Sequence, residues 1–198
     1  MGDHVFNKYT TSNVNWNVGI DSMGRTGGNF YVSNLSNGYH GILKEWWEYY
    51  NKGNDVLLIS ENNVVKQQFQ NVYPHWNITT MDYYPELINN SEVDIFQNIC
   101  SDDFNVDKKF DLIINQATLE HVYDPFRAMK NLISILKPNG VIVTHTHPPA
   151  CPYHSYPRDY FRFMVDWWYD LPKYIEKIEL QELYMHDNIC VFTCYTKL

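Results

Sequence analysis

The chain has 198 residues, 44% of them hydrophobic, and a formal net charge of −8. That length suits a single domain, 1–198, with a sizeable core. The acidic balance argues against a nucleic-acid backbone as partner, since phosphate binding needs a basic face, and no apolar run approaches the roughly 18 residues of a membrane span. The N-terminal MGDHVFNKYTTSN carries no signal-peptide core. Cys100, Cys151, Cys190 and Cys194 form no C-x-x-C pair, so they read as reduced thiols of a cytoplasmic protein. Aromatic content is unusual at 16%, with 6 Trp and 16 Tyr. Some of these rings are expected at a half-wet pocket or interface.

In chain order, residues 1–50 read as an N-terminal lid or substrate layer: a polar, glycine-bearing loop, then a helix from Ser36 to Tyr50. A core spans 55–198. Val56-Leu57-Leu58-Ile59 is a continuous apolar run, as expected of a central parallel strand covered on both faces. A helix follows from Asn62 to Tyr73, then a strand from Asn77 to Met81 that ends at Asp82. Val93 to Ile99 and Phe110 to Ile114 read as further strands. Phe126, Met129, Leu132, Ile133 and Leu136 recur at helical spacing, and Lys137-Pro138-Asn139-Gly140 should stop that helix. Val141-Ile142-Val143 is the fifth strand. Tyr174 to Tyr184 and Ile189 to Tyr195, separated by His186-Asp187-Asn188, form a hairpin signal. The fold expected is α/β: a doubly wound, Rossmann-like, mostly parallel seven-stranded sheet closed by a C-terminal antiparallel hairpin.

The segment FDLIINQATLEHVYDPFRAMKNLISILKPNGVIVTHTHP, Phe110 to Pro148, resembles the class I S-adenosylmethionine-dependent methyltransferases, especially those acting on small molecules and glycans. The matching motifs are Phe110-Asp111-Leu112-Ile113, Leu119-Glu120-His121-Val122 with Asp124-Pro125, and Leu136-Lys137-Pro138-Asn139-Gly140. YHSYPRDYFRF, Tyr153 to Phe163, is similar to a segment of a glycan-modifying subset. The resemblance covers roughly Asp55 to Leu198 and implies S-adenosylmethionine as cofactor.

One departure stands out. The family's first strand normally ends in a G-x-G type turn, and here the chain reads Ser60-Glu61-Asn62-Asn63. Glycine serves there because backbone must approach the cofactor and adopt positive φ. Asn is the next most permissive residue, so Asn62 and Asn63 can supply the turn, and Ser60 or Asn62 can cap the helix. Asp82, about 20 positions on, can accept from the ribose hydroxyls, with Tyr83 beside it. Asn98 can meet the adenine amine through its carbonyl oxygen, and Ile99 can cover the ring. Asn115 and Gln116 should border the methionine part. Arg25, in Gly24-Arg25-Thr26-Gly27-Gly28-Asn29, can pair with the cofactor carboxylate. That loop lacks the preceding strand of a nucleotide-hydrolase phosphate loop.

Methyl transfer to a hydroxyl needs a base, and histidine suits neutral pH. His154 is expected first in that role and His121 second. Asp159 and Arg162 would orient His154 or grip acceptor hydroxyls. The aromatic surplus (Trp46, Trp47, Tyr153, Tyr156, Tyr160, Trp167, Trp168) favours a sugar as acceptor. His145-Thr146-His147 invites a metal reading, with Glu120 or His154 as third ligand. The sequence shows no complete ligand set, so no metal is expected. The leading expectation is an O-methyltransferase acting on a small polar acceptor, a glycan sugar in first place. A noncatalytic binding module and a metal-dependent hydrolase built on His145 and His147 are the alternatives.

Overall fold

The computed structural model describes residues 39–83, 93–154, 158–186 and 190–198. Helix α1 is Tyr39–Tyr50, strand β1 Asp55–Ile59, α2 Asn63–Val72, β2 Asn77–Asp82 and β3 Ile95–Phe96. Next come β4 Phe110–Gln116, a 3-10 turn Leu119–His121, α3 Pro125–Ser134 and β5 Leu136–Thr146. Helix α4 is Val165–Tyr174, followed by β6 Ile178–His186 and β7 Cys190–Lys197. The sheet has seven strands in the order β3-β2-β1-β4-β5-β7-β6. The first five in this order pair in parallel, and β7 lies antiparallel between β5 and β6.

The apolar run of β1 is covered on both faces, as a central parallel strand must be. Its alternation sends Leu57 and Ile59 to one core, with Ile113, Met129, Leu132 and Trp168. Val56 and Leu58 face the other, with Trp46, Trp47, Phe69, Leu112 and Ile114. Each fully buried aliphatic side chain contributes about 1.5–3 kcal/mol. Helix α1 joins the second core through Ile42, Leu43, Trp46 and Trp47, spaced on one helical face. The remainder of the expected N-terminal layer, including Arg25 and its glycine-rich loop, lies outside the described residues.

Three elements differ from expectation. Strand β3 is only two residues long. Upstream of it, Asp94 Oδ2 accepts from the Thr80 N–H at 2.9 Å and pairs with Lys66 at 2.7 Å, and the Asp94 N–H donates to Thr80 Oγ1 at 3.0 Å, so side-chain contacts replace the ladder where Val93 was expected to begin it. The helix α3 stops at Ser134, and Leu136 already pairs with Phe110. Lys137-Pro138-Asn139-Gly140 is thus an irregularity within β5, with Asn139 at φ 62. A Cβ on Gly140 would lie 2.8 Å from the Lys137 carbonyl, so glycine is required there. Helix α4 occupies the stretch before β6, so the hairpin strand begins at Ile178 instead of Tyr174. Trp168 and Leu171 anchor α4 in the first core.

The opposite ends of the strands have distinct chemistry. At the N-terminal ends of β1, β4 and β5, Lys137 Nζ meets Asp55 at 2.6 Å and Asp111 at 2.9 Å. The C-terminal ends carry the polar residues from which a site can be built.

Candidate active site

Strand β1 is followed directly by Ser60, whose φ is 57 and whose N–H donates to the Met81 carbonyl at 2.8 Å. The positive-φ residue of the substituted turn is therefore Ser60, and not Asn62 or Asn63. The chain must turn on the residue directly after the ladder, and that residue has to take the left-handed conformation. Asn62 keeps φ −100 and caps α2, its Oδ1 accepting from Val64 N at 3.0 Å and Val65 N at 3.1 Å.

Beside this turn opens a cleft whose lining includes Ser60, Met81, Asp82, Tyr83, Asn98 and Ile99, together with Thr118 and Val122. Asp82 Oδ1 accepts from the Tyr83 N–H at 2.7 Å and meets no cationic side chain among the described residues. Burial pushes its carboxyl above the usual range, against the pull of that N–H. Glu61 is raised to about 8, first by burial and then by the neighbouring Asp82 charge. Such a wall suits a ligand offering hydroxyls and positive charge.

Two expectations change here. The side-chain oxygen of Asn98 accepts from Cys100 N at 2.8 Å, so it is committed to a turn and leaves the amide nitrogen as the polar atom for a base. Asn115 and Gln116 are not among the described residues that line this cleft. Asn115 is fully buried at the end of β4, opposite Ile59 and Thr144, and its amide has no hydrogen-bond partner among the described residues. Instead the chain leaves β4 through Ala117, at φ 46, and Thr118 reaches the cleft.

From Thr118 the 3-10 turn carries Glu120 and His121. Glu120 is 0% exposed. Its Oε2 accepts from Thr146 Oγ1 at 2.6 Å, and its Oε1 faces three imidazoles. His147 Nε2 is 3.2 Å from that oxygen, His121 Nε2 3.8 Å and His154 Nε2 3.9 Å. Burial raises the Glu120 carboxyl, opposed by His121 and by the Thr146 hydroxyl. Burial lowers His121, opposed by Glu120. His121 Nδ1 also meets the Arg158 carbonyl. His145 is buried alongside, its ring stacked on Phe192 with centroids 5.1 Å apart.

The segment 158–163 is held over this cluster by backbone. Tyr160 N–H donates to the Glu120 carbonyl at 2.7 Å, and Phe163 N–H to the His147 carbonyl at 2.9 Å. Asp159 Oδ2 accepts from His154 N–H at 2.8 Å. The Arg162 guanidinium pairs with Asp159 and also donates to the carbonyls of Cys151 at 3.1 Å and Pro152 at 2.8 Å. Burial works to raise the Asp159 carboxyl, but Arg162 and the His154 N–H together outweigh it and hold it at about 2. Asp159 and Arg162 thus shape the loop that presents His154. Residues 155–157, with Tyr156, lie outside the described residues.

The tryptophans assigned to the acceptor sit elsewhere. Trp46, Trp47 and Trp168 are at most 1% exposed and belong to the two cores. The exposed rings near the cluster are Tyr123, Tyr153 and Tyr160, at 80%, 74% and 46%. Sequence reasoning missed the cleft residues Thr118 and Val122. It also missed Thr146 as the partner of Glu120. The available signal was Thr144-His145-Thr146-His147, four polar residues directly after the apolar run Val141-Ile142-Val143.

A sheet of this order, with its cleft at the C-terminal ends of β1, β2 and β4, defines a class I S-adenosylmethionine-dependent methyltransferase. The family profile described as "Methyltransferase domain" matches residues 37–192, and the chain belongs to that family. No curated protein matches it significantly. The N-terminal domain of EvdMO1, crystallised with S-adenosylhomocysteine and D-fucose, is similar at 12% identity and TM-score 0.58, over 79% of this chain and 81% of that one. N-methyltransferase NodS from Bradyrhizobium japonicum WM9 is similar at 16% identity and TM-score 0.55, over 79% and 92%. A methyltransferase from Clostridium acetobutylicum ATCC 824 is similar at 11% identity and TM-score 0.55, over 79% and 89%. The enzyme's cofactor is S-adenosylmethionine. The cleft fits it, since Ser60 supplies the positive φ that glycine usually gives and Asp82 presents a carboxylate that meets no cationic side chain among the described residues. No described helix is long and apolar enough to cross a membrane.

Proposed function

We propose that the enzyme methylates a hydroxyl of a small polar acceptor, a sugar of a glycan in first place. The observation that carries this is a shared turn. Thr118 and Val122 line the cofactor cleft, and between them Glu120 and His121 enter the imidazole cluster. An acceptor at the cluster therefore lies next to the cofactor cleft, as in-line transfer demands.

Bound S-adenosylmethionine supplies an electrophilic methyl group on a sulfonium. Asp82 holds the ribose, with Tyr83 fixing its carboxylate. Asn98 and Ile99 take the base. Ser60, Glu61 and Asn62 form the turn beside the cofactor. Arg25 can meet the cofactor carboxylate, whereas Asn115 and Gln116 support the strand end behind it. On the acceptor side, His154 and behind it His121 carry removal of the hydroxyl proton. Asp159 and Arg162 position His154 through the bonds described above, and the strap 158–163 keeps water out. Exposed Tyr123, Tyr153 and Tyr160 offer faces to a sugar ring. The crystallisation of the EvdMO1 domain in the presence of D-fucose supports a sugar acceptor on this fold.

Calorimetric titration with S-adenosylhomocysteine, for wild type and Asp82→Ala, tests the cofactor residues. Micromolar binding weakened by the substitution is expected. Incubation with panels of sugar hydroxyls and of amines, read by mass, tests the acceptor. Methylation of amines alone overturns the hydroxyl reading.

A further inference from the structure

Proton removal needs one imidazole and one carboxylate. This site has three imidazoles and a fully buried carboxylate, and the surplus requires its own explanation. Glu120 Oε1 accepts no hydrogen bond among the described residues although it is 0% exposed. A buried oxygen left so is costly unless something electropositive occupies its front. The Nε2 atoms of His121, His147 and His154 face it at 3.8, 3.2 and 3.9 Å. Ligand atoms of Glu120, His121 and His154 all lie within 4.8 Å of one another. Four tetrahedral donors about 2.1 Å from a cation stand roughly 3.4 Å apart, so small side-chain shifts close this set around an ion.

We propose that Glu120, His121 and His154, with His147 as fourth donor, form a binding site for one divalent cation of the zinc class. Imidazole with carboxylate selects such a borderline cation over magnesium or calcium, which prefer oxygen alone. The outer contacts suit the role. Thr146 Oγ1 holds the other Glu120 oxygen, and the Arg158 carbonyl meets His121 Nδ1, which leaves Nε2 as the donor atom. The Arg162–Asp159 pair and the Asp159 bond to the His154 backbone fix the loop that brings in the third imidazole. The proposal rests on the hydroxyl-transfer reading for its role alone. With four protein donors a tetrahedral ion has no open position, so the cation would fix His154 and His121 beside the acceptor; proton removal by these two imidazoles belongs to the metal-free enzyme.

The test uses untagged full-length protein freed of metal by chelation and titrated calorimetrically with zinc chloride alone. The same sample is then titrated with S-adenosylhomocysteine. One equivalent of zinc should bind, and Glu120→Gln and His154→Ala should each weaken it by more than the roughly 10–100-fold typical of losing an outer contact. Thermal melts confirm that each variant folds. Cys151 approaches His147 and His154 in an alternative grouping, so Cys151→Ser is the control and should leave zinc binding unchanged. Folded wild type that takes up no zinc overturns the site. Loss of binding in Cys151→Ser but not in Glu120→Gln also overturns it. Cofactor binding without zinc removes the cation and keeps the methyltransferase reading. Zinc binding without cofactor keeps the cation and removes that reading.

Discussion

At the scale of single residues, the turn after β1 is held by Ser60 at φ 57, a conformation that costs an ordinary L-residue about 1–2 kcal/mol. Ser60→Gly should raise the unfolding midpoint slightly, by up to about 1 kcal/mol of stability, because strain relief is partly offset by the freer unfolded chain. Ser60→Val should lower it by more than that, since a β-branched residue tolerates positive φ worst. Thermal melts of the two variants give opposite signs if the turn is as described. Glu61 behaves differently. Its carboxyl is raised from 4.5 to about 8 by burial and by Asp82. Folding favours its neutral form, so its stabilising effect is complete below 4.5 and declines as pH rises toward 8. Cofactor-free Glu61→Gln should therefore gain on wild type progressively across that window. Parallel pH–stability curves for the two proteins would show that Glu61 is not desolvated in the folded chain.

At the scale of elements, what was legible depended on whether a local pattern met a tertiary conflict. Helix α2 follows from its sequence: Asn62 caps it and Phe69 is its buried anchor. Asn62→Ala should cost about 1 kcal/mol, seen as a lower midpoint in denaturant. Helix α3 was equally legible, with Asp124 capping, Pro125 in the first turn and Ala128, Met129, Leu132 and Ile133 buried. Its end was not, because the turn signal Lys137-Pro138-Asn139-Gly140 is absorbed as an irregularity inside β5. Helix α4 was hidden because Trp167 and Trp168 read as pocket aromatics, whereas Trp168 fills the first core. Trp168→Ala should cost about 3–5 kcal/mol, a size no rim residue could produce. At the site, the strand end at Asp82 was legible and the residue lines the cleft; Ile99 lines it too, although β3 stops at Phe96. The positive φ at Ser60 and the commitment of Asn98 to Cys100 were not, because each is set by where a ladder stops. The gathering of three histidines on Glu120 joins β4, β5 and a later loop, and no local spacing encodes such a meeting.

At the scale of the whole molecule, the two ends of the sheet separate stability from ligand binding, and that separation can be measured. Lys137 ties β5 to Asp55 and Asp111 at the N-terminal ends. With its side chain 36% exposed, solvent screening limits the pairs to about 1 kcal/mol together. The cofactor acts at the opposite ends, by mass action. At a concentration a hundredfold above its dissociation constant, it stabilises the folded chain by about 2.7 kcal/mol. For a domain of this length, each kcal/mol moves the midpoint by roughly 2–4 °C. S-adenosylhomocysteine should then raise the midpoint by about 5–11 °C, combining those two relations. Lys137→Met should lower the midpoint of both free and bound protein by similar amounts and leave that increment intact. Asp82→Ala should do the reverse, removing most of the increment at the same ligand concentration while changing the free protein little. An increment lost in Lys137→Met would mean that the clamp and the cleft are coupled through β1 and β4, and that the cofactor is not held by the C-terminal ends alone.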